Sequence, residues 1–425
     1  MGNTQKAAAP RGRRVTALTA AVLLGSATAA CGAAETENTP GVTDDTVTIG
    51  THHPLTGPAA GGFASISAAT SAYFEYINDN GGIHGRDIEY IVRDDAYSPS
   101  NTQSVVRELV QQEDIFALVN GLGTPTHSSV LEYLDQNDVP DLFVSSGSLV
   151  WNQPDEFPNT FGYNADYVTE GAALGQYILD SEDDPTICLL GQDDDFGESM
   201  LEGVEGAVGD DGVAEVQWYS TANEDVTAQI GAMQSAGCDA NILATINGFT
   251  ALALGTAAQL QYEPNWYASS SGGDYPTLVD HLGDAAPLLE GLISVNYLQN
   301  TPESDWYELF EDVNEEYNGG AAFTGNTTYG MSVAYVFAET LARTGEEPTR
   351  EAIVETLASG EVVGNGIVPL TYAEDDHFGN RTVQIAVVED EVQDFIDYAY
   401  QVTDGEPEAV EPDPVPLENE GIPSH

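Results

Sequence analysis

Thr46-Val47-Thr48-Ile49-Gly50 opens the folded part of the chain, and the stretch from there to Val144 decides the fold. This β-branched run ends in the loop Pro54-Leu55-Thr56-Gly57-Pro58. A helical pattern follows through Ala68, Ala72, Phe74 and Ile77, and it stops at Asn80-Gly81-Gly82, a strong C-terminal signal. A strand at Ile88 to Arg93, a helix from Ser100 to Gln112 and a buried strand, Phe116-Ala117-Leu118-Val119, come next. A helix over Thr126 to Gln136 then leads to a strand at Asp141 to Val144. Strands alternating with helical patterns predict a parallel sheet with helices on both faces.

The theme then restarts. Strands are expected at Thr186–Leu190, Glu215–Tyr219, Ala240–Ala244 and Asn265–Ala268. Helices are expected between them at Thr169–Leu179, Phe196–Val208, Val226–Ala236 and Phe249–Leu260. Two such sets predict an α/β protein of two doubly wound parallel-sheet lobes. In open parallel sheets the ligand crevice lies at the carboxyl ends of the strands, so facing lobes would enclose a cleft there.

Several motifs, taken in order, carry a resemblance. After the Pro54–Pro58 loop comes Ile77-Asn78-Asp79-Asn80-Gly81-Gly82-Ile83-His84-Gly85-Arg86, then Arg93-Asp94-Asp95-Ala96-Tyr97-Ser98-Pro99. Asp194-Asp195-Phe196-Gly197 opens a helix of the second set. Val368-Pro369-Leu370-Thr371-Tyr372 with His377-Phe378-Gly379-Asn380-Arg381 closes the series. This ordered set resembles the periplasmic-binding-protein type I fold, in the leucine/isoleucine/valine-binding branch that serves ABC importers. The resemblance implies a three-crossing hinge near Asn164, Val295 and Arg381. Lobe one would hold 46–164 plus 296–380, and lobe two 165–295 plus 381–402. It also implies a substrate-binding subunit that hands a small polar solute to an ABC permease by hinge closure, as a monomer and without a cofactor. A sensory receptor on the same fold is the alternative.

A solute cleft needs backbone N–H donors, orienting hydroxyls and aromatic walls. The loop Gly121-Leu122-Gly123-Thr124-Pro125-Thr126 supplies donors at a helix start, with Thr124 and Thr126 as hydroxyls. Ser145, Ser146 and Gly147 follow the next strand and face the same crevice. Composition alone would read both loops as capping and turn chemistry; the resemblance implies that they grip a ligand's carboxylate and amine. Phe196 takes the family's aromatic position in lobe two, Asn247 and Ser270 sit in loops after their strands, and Phe323 is expected as a wall. An isolated aromatic such as Phe323 is also ordinary core material.

There are departures from the pattern. Gly62 stands where the family's amino-acid binders have Tyr, and a second Tyr is replaced near Asn247. Ser269-Ser270-Ser271 carries no charge where an acid would pair with a ligand ammonium, although Asp274 is near enough to substitute. A buried ammonium without its partner is costly, so amino acids, amides, urea-like solutes and small carboxylates all stay open.

The ends of the chain address it outside the cytoplasm. Lys6, Arg11, Arg13 and Arg14 precede an apolar run, Val15 to Ala30, that is too short to span a bilayer and ends in small residues. This is a signal peptide, for the general or the twin-arginine route. Cys31 follows it as in a bacterial lipobox, with Thr28 where a larger aliphatic residue is usual. Cys31 is therefore expected to be acylated, anchoring the protein to the outer face of the cell membrane, with residues 31–45 as a tether. Residues 403–425, rich in Pro and acids, are expected to form a disordered acidic tail.

Six arginines and no lysine stand against 70 acids after Cys31, and the whole chain carries a net charge of −60. That excludes nucleic acid and anionic headgroups as partners, so contact with the membrane is expected through the lipid alone. Acids spread along every segment also suit concentrated salt, where the Debye length falls to about 3 Å at 1 M. Cys188 and Cys238 lie in neighbouring βα units and are a disulfide or two buried thiols. No catalytic constellation stands out: there is no G-x-S-x-G elbow, phosphate loop or H-E-x-x-H. His52-His53 has no spaced partner for a metal site, and Asp193-Asp194-Asp195 and Asp375-Asp376-His377, which could attract calcium, read as solvated loops in a chain this acidic. An enzyme, such as a secreted hydrolase, is not expected.

Overall fold

The computed structural model describes residues 39–209, 211–298, 304–403, 406–411 and 415–423; Cys31 and the segment before it lie outside the described residues. Thr46–His53 forms β1, and its buried alternate residues Val47 and Ile49 fill the core of a first sheet. β2 (Asp87–Asp94), β3 (Leu118–Val119), β4 (Asp141–Val144) and β5 (Thr160–Gly162) complete that sheet in the order β2-β1-β3-β4-β5. All its pairings are parallel.

The second sheet is larger. It takes β6 (Ile187–Gln192), β7 (Val213–Tyr219), β8 (Ala240–Ala244), β9 (Asn265–Ala268) and β10 (Ile293–Asn296) in parallel. β11 (Thr382–Glu389), β12 (Val392–Thr403) and β13 (Glu406–Val410) extend it antiparallel. The order is β13-β12-β11-β10-β9-β8-β6-β7. The architecture is two α/β lobes, each on a parallel sheet, as the alternation predicts. The chain leaves the first sheet after Gly162 and enters the second at Ile187. After Asn296 its helices return to the first lobe, where Arg350 donates to the carbonyls of Ile115 and Phe116. It rejoins the second sheet at Thr382.

Local chemistry explains the helices that matter for the cleft. Asp166 caps Tyr167–Ser181 by accepting from Thr169 N–H at 2.8 Å, and Asp194 caps Asp195–Val208 by accepting from Phe196 N–H at 3.1 Å. The single helix expected over 126–136 is instead two short ones, Thr124–Ser128 and Leu131–Asp135. At the break, Ser129 turns its hydroxyl back to the Thr126 carbonyl at 2.6 Å, competing with the helical ladder. Cys188 in β6 and Cys238 just before β8 form a disulfide.

The expectation of a disordered tail does not hold for its described residues. Glu406–Val410 pairs with β12, which extends lobe two past residue 402. Further on, the Val415 carbonyl accepts from Trp306 Nε1 at 2.9 Å, and the Gly421 carbonyl from the Tyr73 hydroxyl at 2.8 Å. These contacts go through backbone atoms, which leave no hydrophobic period to read. No described helix is long and apolar enough to cross a membrane.

Candidate functional site: a closed polar cleft between the lobes

The carboxyl ends of the two sheets face one another and enclose a cavity of about 60 Å³. Lobe one contributes Tyr97, Gly123, Ser145 and Tyr329, and lobe two Tyr167, Phe196, Ser270 and Asp274. The lobes touch across it. Asp274 Oδ1 accepts from Gly325 N–H at 3.1 Å, at the start of the lobe-one helix Gly325–Thr344, and the Gly147 carbonyl accepts from Tyr167 N–H at 2.8 Å. Gly62 explains its own departure from the family pattern. Its φ is +86°, and a Cβ there would stand 2.8 Å from Thr277 Cγ2 of the opposite lobe, so no Tyr fits while the lobes are closed.

The expected site residues divide. Ser145, Phe196 and Ser270 line the cavity. Phe196 is almost wholly buried and packs against Tyr167 at 4.4 Å between ring centroids. Thr124 and Ser146 bond each other, 2.8 Å between hydroxyls, outside the lining. Four more residues also lie off the lining. Thr126 spends its hydroxyl on the Leu122 and Gly123 carbonyls, 2.6 and 3.1 Å away, as a helix-start residue does. Gly147 meets lobe two through its carbonyl and does not line the cavity. Asn247 is buried and accepts from Asp274 N–H at 3.3 Å, acting through Asp274. Phe323 lies in a neighbouring chamber, packed edge-on against Tyr307 at 4.9 Å.

Two acids dominate the electrostatics, and only one was singled out in the sequence. Asp274 Oδ2 accepts from Thr277 N–H and its hydroxyl, and burial raises the carboxyl above its ordinary range. Glu170 stands behind Ser270, whose N–H and hydroxyl reach its carboxylate at 3.0 and 2.6 Å. Burial pushes Glu170 up to about 8. In sequence it is one more acid in the first turn of a helix, where acids are favoured anyway. Tyr97, Tyr167 and Tyr329 were missed for a similar reason, since each reads as core. Among the described residues that line the cavity there is no Arg, Lys or His, so nothing of the opposite charge balances Asp274.

Residues 46–393 match the family model described as periplasmic binding protein. The chain belongs to the periplasmic binding protein family. This is a family of non-enzymatic binding proteins. Among curated relatives of this periplasmic binding protein, the Leu/Ile/Val-binding protein homolog 3 of Brucella melitensis is 22% identical over 339 residues, covering 77% of this chain and 87% of the relative. Among solved structures, a branched chain amino acid ABC transporter protein from Thermus thermophilus with bound valine superposes at a TM-score of 0.73. It is 20% identical and covers 85% of this chain and 98% of the other. A fatty acid ABC transporter substrate-binding protein from Thermomonospora curvata also reaches 0.73, at 21% identity, covering 91% and 97%. At these identities the structural likeness carries the two-lobed fold.

Proposed function

We propose that this periplasmic binding protein is the extracytoplasmic substrate-binding subunit of an ABC importer, anchored through Cys31, and that it captures a small solute carrying an ammonium group, such as an aliphatic amino acid. The observation that carries this reading is Asp274, a half-buried carboxylate with no cation among the described residues that line the cleft. An anion withdrawn from water in this way is costly until something positive joins it. The solute's ammonium would meet Asp274 beside Ser270, and its polar far end would meet the hydroxyl of Ser145. Ligand bound to the open form would bias the lobes shut over Phe196 and Tyr97. A cavity of about 60 Å³ suits a solute of a few heavy atoms, since one water needs roughly 15 Å³ on this measure.

A second reading has its own observation. A chamber of about 260 Å³ adjoins the cleft and shares Asp274, Asn296, Leu298 and Gly325 with it. Phe323, Tyr307, Ile367 and Phe395 give it an apolar wall, along which a solute with a longer tail could extend. The relative named for fatty acids supports that option.

Thermal shift and calorimetry in concentrated salt distinguish the readings, using aliphatic amino acids and the matching carboxylic acids without the amine. Amino acids are expected to bind, raising stability by about 2.7 kcal/mol at 100 times Kd. Asp274→Asn is expected to weaken them by about tenfold or more, in line with losing one partner of a buried charge pair. Carboxylic acids binding as well as amino acids, with affinity rising along the chain length, would favour the second reading and remove the first.

A further inference from the structure

Beneath the lobe-one rim of the cleft runs a line of four side chains that solute capture does not use. His52, near the end of β1, sets its Nδ1 2.8 Å from Asp95 Oδ2 and its Nε2 3.0 Å from His127 Nδ1. His127 Nε2 lies 2.8 Å from Asp141 Oδ2. All four side chains are buried, at 1% exposure or less, and the two rings stand 5.3 Å apart and nearly parallel.

The protons in this line can be counted. Ionised carboxylates only accept, so His52 Nδ1 and His127 Nε2 both donate. The contact between His52 Nε2 and His127 Nδ1 then needs one proton of its own, because two lone pairs 3.0 Å apart repel and two N–H groups clash. Three contacts therefore hold three protons, one more than two neutral imidazoles supply. Asp95 is well satisfied without extra charge nearby. It also accepts from Tyr97 N–H and the Thr102 hydroxyl, each at 2.9 Å. Burial pushes its carboxyl up, but these bonds and His52 outweigh that and hold it below its ordinary value. Asp141 is poorly satisfied: among the described residues Oδ1 has no hydrogen-bond partner, and Oδ2 has only His127 and the Thr160 hydroxyl, 3.3 Å away. Burial lowers His52 from its ordinary value against the pull of Asp95. The neutral ring is thus His52, and the charge sits beside the carboxylate that lacks donors.

We propose that His127 holds a buried imidazolium, hydrogen-bonded to His52 and neutralised by Asp141, and that this proton positions the Gly121–Gly123 rim of the cleft. The rim rests directly on the contact between the rings. A Cβ on Gly121 would come 2.5 Å from His127 Nδ1 and 2.7 Å from His52 Nε2. Leu122 N–H donates to the His52 carbonyl at 3.2 Å, and His127 N–H to the Gly123 carbonyl at 3.0 Å. Leu122 and Gly123 both line the cleft. Removing the proton leaves two lone pairs face to face, so the rings separate and the rim moves with them. The other groups facing the line do not supply a replacement charge. His53, beside it on β1, is held neutral by burial at about 3. Burial likewise keeps the Tyr97 hydroxyl protonated. The ring of Trp151 packs edge-on against His127 at 4.9 Å. His52 and His127 are positioning residues here, and neither touches the solute.

The test is a ¹⁵N-histidine and amide NMR titration of the full-length protein in concentrated salt, from pH 6 to pH 10. At pH 7.5 one histidine is expected with both ring nitrogens protonated, joined by a nitrogen–nitrogen coupling to a second that is protonated at Nδ1 alone. The Gly121–Gly123 amides are expected to shift at the pH where the first loses its extra proton. Asp141→Asn should abolish the doubly protonated pattern and that amide step together, with the helical signal kept; if this variant does not fold, the wild-type titration alone decides. Two neutral rings at pH 7.5, or amides that ignore the loss of the proton, would overturn the proposal.

Discussion

The two rims of the cleft solve the problem of buried polarity in opposite ways. In lobe one the polar groups bond each other. Asn120 Nδ2 reaches the Tyr329 hydroxyl at 2.8 Å, Tyr329 donates to Asn164 at 2.9 Å, and Thr124 pairs with Ser146. In lobe two three acids have no cation beside them among the described residues: Glu170, Asp194 and Asp274 are all raised by burial. Lobe one is thus a pre-formed surface, whereas lobe two holds acids whose ionised form a cationic partner would stabilise. On the proposed function, a solute that supplies a cation would stabilise the closed form mainly through lobe two.

This contrast predicts that the lobes lose stability at opposite ends of the pH range. The largest effect belongs to lobe one. Burial, then the neighbouring His52, lowers His53 from 6.5 to about 3 in the folded state. Below pH 6.5 the unfolded chain takes up a proton that the folded chain refuses, so stability is complete above 6.5 and falls as pH drops toward 3. The loss should reach about 5 kcal/mol, since each tenfold drop in proton affinity is worth roughly 1.4 kcal/mol. Urea unfolding of wild type and His53→Phe across that window checks it; parallel curves would break the contrast.

Next comes the cross-link, which among the described residues belongs to lobe two alone. Cys188 and Cys238 are 50 residues apart, and replacing both by Ser should cost about 4 kcal/mol in the chain-entropy picture. Denaturant midpoints of the variant and of the reduced wild type should agree. An effect that is smaller only up to neutral pH sharpens the lobe-two side. Burial raises Glu170 from 4.5 to about 8, so the folded state holds a proton that the unfolded state has released. That stability is complete below pH 4.5 and declines as pH rises through 8, by about 3 kcal/mol between 4.5 and 7. Glu170→Gln should flatten this limb and leave the acid limb of His53 untouched.

Most of the fold was legible because it rests on short-range patterns. β-branched runs such as Thr46–Ile49, the Asn80-Gly81-Gly82 stop and the capping acids Asp166 and Asp194 act over a few residues. The candidate site was legible where an expected loop delivered a side chain into the cleft, as at Ser145, Phe196 and Ser270. It was not legible where side chains point elsewhere. Thr126 turned to its own helix start, and Phe323 fell in the neighbouring chamber. Glu170 looked like any helix acid until Ser270, 100 residues on, closed over it.

By itself, then, the sequence determined the alternation of strands and helices, the two-lobed plan and the acidic charge, because each depends on residue type and local spacing. Only the tertiary structure decided that Asp274 spans the lobes to Gly325 and that the Val415–Gly421 region docks on Tyr73 and Trp306. It also brought His52 to His127 across 75 residues. The physical reason is that hydrogen bonds and burial between distant segments depend on where the packed sheets bring them, and no local pattern records that.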